Sequence, residues 1–295
     1  MNAICDLFGI QFPLVMGAVA SLPGLGIAVS KAGGLGTIAG AGATPDQLRE
    51  RIRAFRSATD RPFAVNFPIA LMPAEQLEAK IAICIEENVK AVITSAGSAK
   101  VATARLKAHG IRVAHVVATT SHAQKAAEAG VDAVIAEPVE SGGYRGESEV
   151  SMMILIPAIR AALPTMPLVA AGAVADGHGI AATFALGSDG VQLGTRLVAT
   201  EESELPAHYH KLILAAIDTS TASAEGRIRP RVAKPEFAES VLGEVKRVQM
   251  GQVSALIDDI APAAEIIERI FREAAEVAQA NAVALSRFAA VAVGR

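Results

Sequence analysis

Short apolar runs of four to eight residues recur along the first two thirds of the chain. Between them lie stretches whose apolar positions follow a helical period instead. The runs are PLVMGAVA (13–20), LGTIAG (35–40), PFAVNF (62–67), AVITSAG (91–97), RVAHVVA (112–118), DAVIAEPV (132–139), PLVAAGAV (167–174) and GVQLGT (190–195). Helix punctuation falls between them. Thr44, Pro45, Asp46 and Gln47 read as an N-cap, an N1 proline and a capping-box glutamine. Ser121 opens SHAQKAAEAG, which Gly130 closes, and Asp176 caps GHGIAATFALG, which Gly187 closes. A βα unit repeated eight times predicts an α/β fold of the (β/α)8 TIM-barrel type. A doubly wound open sheet is the alternative arrangement. After Thr195 the repeat stops. Residues 200–235 read as polar loop, and PEFAESVLGEVKRVQMGQ and the segment from PAAEIIERIF onward read as helices. The expected organisation is a barrel core over 1–200 and a helical extension over 201–295 that covers the barrel mouth as part of the same unit or as a small lid.

Composition narrows this picture. The chain has 295 residues, 52% of them hydrophobic and only 4% aromatic, so its apolar content is Ala, Val, Ile and Leu. Such side chains suit parallel strands buried on both faces. A net charge of −3 gives no footprint for nucleic acid. The most basic stretch, EGRIRPRVAKP (225–235), reads as a solvated loop whose arginines could approach an anionic substrate. Cys5 and Cys84 have neither metal spacing nor a disulfide pattern, and Cys84 reads as a core thiol. The N-terminal segment has no basic region or cleavage site, and the apolar tail is interrupted by Arg287. A cytoplasmic enzyme without membrane segments is expected.

In a barrel, chemistry collects at the carboxyl ends of the strands. Those ends carry Gly17 and Ala18, Asn66, the SAGS turn, Glu137 with the following ESGGYRG, Gly172-Ala173, and Gly194-Thr195. Glycine lets backbone amides approach a ligand, and the ends of strands seven and eight are where this fold grips phosphate. A phosphate held there beside a small-residue platform and an amide fits flavin mononucleotide (FMN) or another phosphorylated ligand.

The segments FPLVMGAVA, KAGGLGTIAG, PFAVNF, GVDAVIAEPVESGGYRG and LVAAGAVADGHGIAATFALGSDGVQLGTRLVATEES resemble the nitronate monooxygenase family, formerly the 2-nitropropane dioxygenases. That family includes FMN-dependent enoyl-acyl-carrier-protein reductases. The resemblance covers about residues 12–203, with a weaker echo in GRIRPR. It implies FMN lying against the backbone of Met16, Gly17 and Ala18, with Asn66 beside it and Glu137 and Gly142 along its ribityl side. Gly172, Ala173, Gly194 and Thr195 would hold its phosphate.

Three positions depart from the family pattern. Ala173 stands where many members have a second glycine, which a negative φ would tolerate. Val116 stands where some members carry lysine. Tyr144 stands where the family has its acid/base histidine. An imidazole titrating near about 6.5 can take a proton from a carbon acid, whereas a phenol titrating near about 10 donates one more readily than it accepts. The resemblance therefore implies oxidation of already anionic nitronates with O2, with Tyr144 as the candidate catalytic residue. The alternatives are an NAD(P)H-dependent reductase of an enoyl or enone substrate, with Tyr144 donating the proton to an activated alkene, and a phosphoryl-binding barrel without turnover. Tyr144 could also be a space-filler or gate. Which of His115, His178, His208 and His210 reaches the pocket stays open, no metal is expected from the His208/His210 spacing, and a homodimer is left open.

Overall fold

The computed structural model describes residues 2–19, 23–225 and 229–293; Gly226, Arg227 and Ile228 of the basic stretch, and Ala20, lie outside the described residues. A first helix, α1 (Ala3–Phe8), precedes eight parallel strands: β1 (Leu14–Met16), β2 (Gly36–Ala39), β3 (Phe63–Pro68), β4 (Ala91–Ser95), β5 (Arg112–Val117), β6 (Ala133–Ala136), β7 (Leu168–Ala171) and β8 (Gly190–Leu193). Each pairs with its neighbours in sequence, and β1 pairs with β8 in the register Leu14↔Val191 to Met16↔Leu193. A parallel bridge between Val15 and Leu35 closes the ring from β1 to β2, with the Met16 amide donating to the Leu35 carbonyl at 2.9 Å. The expected (β/α)8 barrel is the observed fold.

Strand alternation separates two cores. Inward positions such as Val15, Leu35, Ala64, Ile93, Ala114, Ile135 and Val169 form one buried cluster with Ile4 and Phe8 of α1. Asn2 holds that helix in place. Its side-chain oxygen accepts from the Ile4 amide at 2.9 Å, and its side-chain amide donates to the Asp189 carbonyl at 2.7 Å. Thus α1 plugs the end of the barrel where the strands begin, and only the other end is open.

Outward positions pack against the surrounding helices. These are α2 (Gly24–Lys31), α3 (Pro45–Ala58), α4 (Ala74–Glu86), α5 (Thr103–Ala108), α6 (Thr120–Glu128), α7 (Met152–Ala162) and α8 (Gly177–Ala185). Leu48, Ile52 and Phe55 of α3 are fully buried, each contributing roughly 1.5–3 kcal/mol of transfer free energy. The Thr44–Gln47 capping box forms in both directions, and Asp176 accepts from the Gly179 amide at 2.8 Å. Cys84 is buried in this layer, and burial pushes its thiol up to about 12.

The chain after β8 is more structured than its polar text suggests. It forms α9 (Thr195–Val198), α10 (His208–Leu214), an antiparallel hairpin of β9 (Thr221–Ser223) and β10 (Arg231–Ala233), α11 (Pro235–Leu242) and α12 (Ala263–Val293). The helix expected over 235–252 ends at Leu242, because Gly243 takes φ +74° and terminates it. A third core, including Leu212, Ile213, Val248, Met250 and Ile257, holds these elements on Ala175, Val198 and Ala199 above the open barrel end. Meanwhile α12 lies against α8 and α2, in the place of an eighth ring helix, and Phe271 stacks on Phe12 at 5.0 Å. The basic stretch is not simply a solvated loop. Arg231 is buried, and its guanidinium donates to the Val139 carbonyl and Thr221 hydroxyl. Among the described residues no helix is long and apolar enough to cross a membrane.

Candidate active site

The alternation that fills the barrel with Ala, Val and Ile changes chemistry at the last inward layer. Asn66 continues the inward set of β3, Ser95 that of β4, and Glu137 that of β6. In β8 the inward residue between Val191 and Leu193 is Gln192. These polar side chains form the floor of a cavity of about 1660 Å³, which Gly17, Ala18, Val116, Gly142, Tyr144, Gly172, Ala173, Gly194 and Thr195 also line. That volume exceeds the several hundred Å³ of an ordinary ligand pocket and can take a cofactor and a substrate together.

Four segments meet at one side of this cavity. The loop after β6 brings Ser141 and Gly142, the turn after β7 brings Gly172, and α9 begins at Thr195. The fourth is a strap at Met250–Gly251, supplied by the extension. A Cβ on Gly142 would lie 2.5 Å from the Gly251 nitrogen, and one on Gly172 would collide with the Ser141 hydroxyl. Neither position admits any side chain. The Gly251 amide donates to Thr195 Oγ1 at 3.0 Å, and the Gln252 amide donates to the Glu140 carbonyl at 3.1 Å. The Thr195 hydroxyl thus has its proton left to donate.

Gly172 and Ala173 take φ of +68° and +41° as the chain leaves β7. The negative φ that would make the methyl at 173 harmless is therefore not present. A left-handed alanine costs roughly 1–2 kcal/mol, which the surrounding packing must hold.

The charges around the floor are unusual. Burial pushes the Glu137 carboxyl up to about 8, and the nearby Arg145 opposes this only in part. Arg145 itself is buried; it donates to the Ser148 carbonyl at 3.3 Å and to the Ser223 hydroxyl, which ties the Tyr144 loop to β9. Gly143 bridges to Arg231 and makes the same link to β10. Tyr144, between these anchors, is 54% exposed at the cavity rim.

The remaining candidates sort clearly. Met16 sits just below the rim with its side chain buried on the helix-facing side, and its carbonyl accepts from the Thr37 hydroxyl at 2.7 Å. His115 lines the cavity, but its Nδ1 lies 2.7 Å from Thr94 Oγ1, and burial pulls the ring down to about 4. His178 is outside the cavity and faces Glu273 at 3.1 Å, whereas His210 bonds the Val198 carbonyl at 2.8 Å. His208 packs on Tyr209. No group of three or more metal-ligating side chains is found among the described residues.

Several site residues escaped the sequence reading: Gln192, Ser141, Arg145 and the Gln249–Gly251 strap. Only Gln192 left a sign, as the one polar side chain inside GVQL. Gln192 Oε1 and Ser141 Oγ are buried without a hydrogen-bond partner. Orphaned polar atoms of this kind call for a ligand or water. Together with Gly17 and Gly194, which line the cavity without a side chain, they fit a flat cofactor with a phosphate tail.

A barrel closed at one end, with a polar floor and a glycine-built rim at the other, is the architecture of a barrel enzyme whose site lies at the carboxyl ends of its strands. The family model for nitronate monooxygenase matches residues 2–264. The chain is 36% identical over 226 residues to (3aS,4S,5R,7aS)-5-hydroxy-7a-methyl-1-oxo-octahydro-1H-indene-4-carboxyl-CoA dehydrogenase of Rhodococcus jostii (strain RHA1), covering 75% of this chain and 62% of that protein. It is 32% identical over 283 residues to the nitronate monooxygenase of Paraburkholderia phytofirmans, covering 79% and 76%. Among solved structures, FabK from Thermotoga maritima superposes with a TM-score of 0.87 at 36% identity, covering 95% and 97%. The chain belongs to the nitronate monooxygenase family, and it is an oxidoreductase.

Two outcomes follow from the geometry. Ala173→Gly relieves the left-handed alanine and raises the unfolding free energy by up to about 1 kcal/mol, after the extra chain entropy of glycine is subtracted, which is read as a higher urea midpoint; a lower midpoint would contradict the assigned backbone. Glu137 binds a proton more tightly folded than unfolded, so its contribution is intact below the ordinary carboxylate range and is lost as pH rises toward about 8. In ligand-free protein, Glu137→Gln therefore flattens the decline of the urea midpoint between about pH 5 and 8. Parallel curves for the two proteins would show that the carboxyl is not held neutral.

Proposed function

We propose that this protein is a cytoplasmic, FMN-dependent oxidoreductase that oxidises anionic alkyl nitronates with O2. The observation that carries the reading is the convergence of Gly172–Ala173, Gly194–Thr195 and the Gly251 strap beside a floor of Asn66, Glu137 and Gln192. The backbone amides of the rim and the Thr195 hydroxyl would hold the phosphate. Gly17 and Ala18 would support the ring plane, and Asn66, Gln192 and Ser141 would satisfy its polar edges. Bound there, FMN would supply acceptance of two electrons from the substrate and their return to O2.

The chain's own residues then decide which substrates react. A carbon acid needs a base beside the floor, and no imidazole is placed there to serve: Tyr144 occupies the histidine position, His115 faces Thr94, and His122, which also lines the cavity, stands exposed in the first turn of α6. A nitronate arrives already deprotonated and needs none. Glu137, neutral at pH 7, can donate a hydrogen bond to a polar ligand atom without repelling an anionic substrate. Arg145, buried behind the Tyr144 loop, adds positive potential in the same region.

A second reading, reduction of an enoyl thioester by NAD(P)H with Tyr144 as proton donor, is favoured by the likeness to FabK over 95% of the chain. The likeness to a hydroxy-indene carboxyl-CoA dehydrogenase also suits a thioester. Anaerobic titration separates the two. Bleaching of the yellow protein by a nitronate but not by NADH or NADPH supports nitronate oxidation. Bleaching by a nicotinamide supports the reductase, and a colourless protein that FMN cannot reconstitute favours ligand binding without turnover.

Within the nitronate reading, Tyr144→His raises kcat/KM toward neutral nitroalkanes by at least tenfold and changes nitronate turnover by much less, consistent with a general-base contribution of about 10²–10⁴. Equal effects on both substrates at saturating FMN would remove the proton-transfer argument.

A further inference from the structure

The last turns of α12 leave the body of the protein. Ile266, Ile267, Ile270 and Ala274 are buried against the barrel helices, but from Gln279 to Phe288 every residue is exposed. Val283, Leu285 and Phe288 are 55%, 66% and 71% exposed. Between 276 and 288 the only charged residues are Glu276 and Arg287; the rest are mainly Ala, Val, Leu and Phe. A helix so apolar is normally covered.

At 100° per residue, Val277, Asn281, Ala284, Leu285 and Phe288 continue the sector of Ile270 and Ala274. The stripe that docks α12 on the barrel therefore runs on into solvent for about 20 Å. Its 3–4 spacing, 274, 277, 281, 284, 288, is that of a helix-pairing seam.

We propose that this stripe pairs with the same stripe of a second copy, as an antiparallel two-helix contact around a two-fold axis near Asn281. Charge decides between partners and directions. Glu276 and Arg287 are three turns apart, so both lie on one flank of the seam. An antiparallel pair brings Glu276 within reach of the partner's Arg287, and Arg287 within reach of the partner's Glu276. A parallel pair instead sets like charge level with like charge. Asn281, the polar residue on the seam, meets the partner's Asn281 near the axis, where paired amides select register. The contact is self-complementary, as a two-fold interface requires. A lipid surface suits the segment less well: it has a single cation and no basic polar face, and the whole chain carries a net charge of −3.

Sedimentation of the full chain tests this. The wild type should run at about twice 30.3 kDa in the micromolar range. Glu276→Arg or Arg287→Glu alone should weaken the dimer roughly tenfold, since each turns two attractive pairs repulsive. The combined Glu276→Arg/Arg287→Glu protein should recover it. Leu285→Glu/Phe288→Glu should give a monomer with unchanged circular dichroism and melting, because both side chains are exposed. A wild type that stays monomeric to 100 μM (about 10⁻⁴ M, well above ordinary stable-interface affinities) overturns the proposal. So does a dimer insensitive to these reversals, or a combined swap that fails to recover it. Co-flotation of a monomeric wild type with phosphatidylglycerol vesicles, abolished by Leu285→Glu/Phe288→Glu, overturns it in favour of membrane docking.

Discussion

The site depends on two stretches of backbone touching where no side chain can intervene. Gly142, in the loop after β6, and Gly251, more than a hundred residues later, approach so closely that a methyl on Gly142 would press on the Gly251 amide. That amide is already committed to Thr195 Oγ1 at the start of α9. One contact thus fixes the β6 loop, the β8 rim and the extension relative to one another, and Gly172 against Ser141 adds the β7 rim. Barrels place active residues on separate loops, which leaves their mutual geometry to be set by packing. Here backbone atoms set it. Backbone has no rotamers to reorganise, so a ligand bound between these segments finds its amides already positioned.

The buried charges work to the same end. Arg145 and Arg231 are taken out of water and donate to carbonyls and hydroxyls of the loop and hairpin they join, with Arg145 Nε left without a partner. Removing an acceptor from such a network leaves a buried donor unpaired, at a cost of about 1–3 kcal/mol or more for a charged group. Tyr144 is consequently an exposed ring on an anchored stem: its neighbours Gly143 and Arg145 are tied to the hairpin, while the phenol itself faces the cavity rim. Glu137 lies beneath this arrangement, where burial outweighs the pull of Arg145 and keeps it protonated at pH 7.

Much of this was legible in the residues, for physical reasons. Parallel strands buried on both faces must be short apolar runs, so the eight runs marked the eight strands, and the polar or glycine residue closing each marked the rim. Asn66, Glu137, Gly194 and Thr195 were all visible that way. What was hidden is non-local. Nothing in LGEVKRVQMGQ says that Gly251 will rest on Gly142, and a three-residue hairpin such as β9–β10 has too few residues for a period. Arg231 reads as surface charge until the loop that supplies its acceptor carbonyl, Val139, is folded beside it. The left-handed turn at Ala173 was equally invisible, because alanine carries no sign of the φ it is forced to take.

The central claim is that the glycine contact between the β6 loop and the strap builds the cofactor end of the cavity. FMN titration of wild-type protein and Gly142→Ala, followed by flavin fluorescence quenching with circular dichroism as the control for folding, tests it most directly. The account predicts at least a hundredfold weaker binding in the variant with helix and strand content intact, about 2.7 kcal/mol. Equal affinity in two equally folded proteins would contradict it.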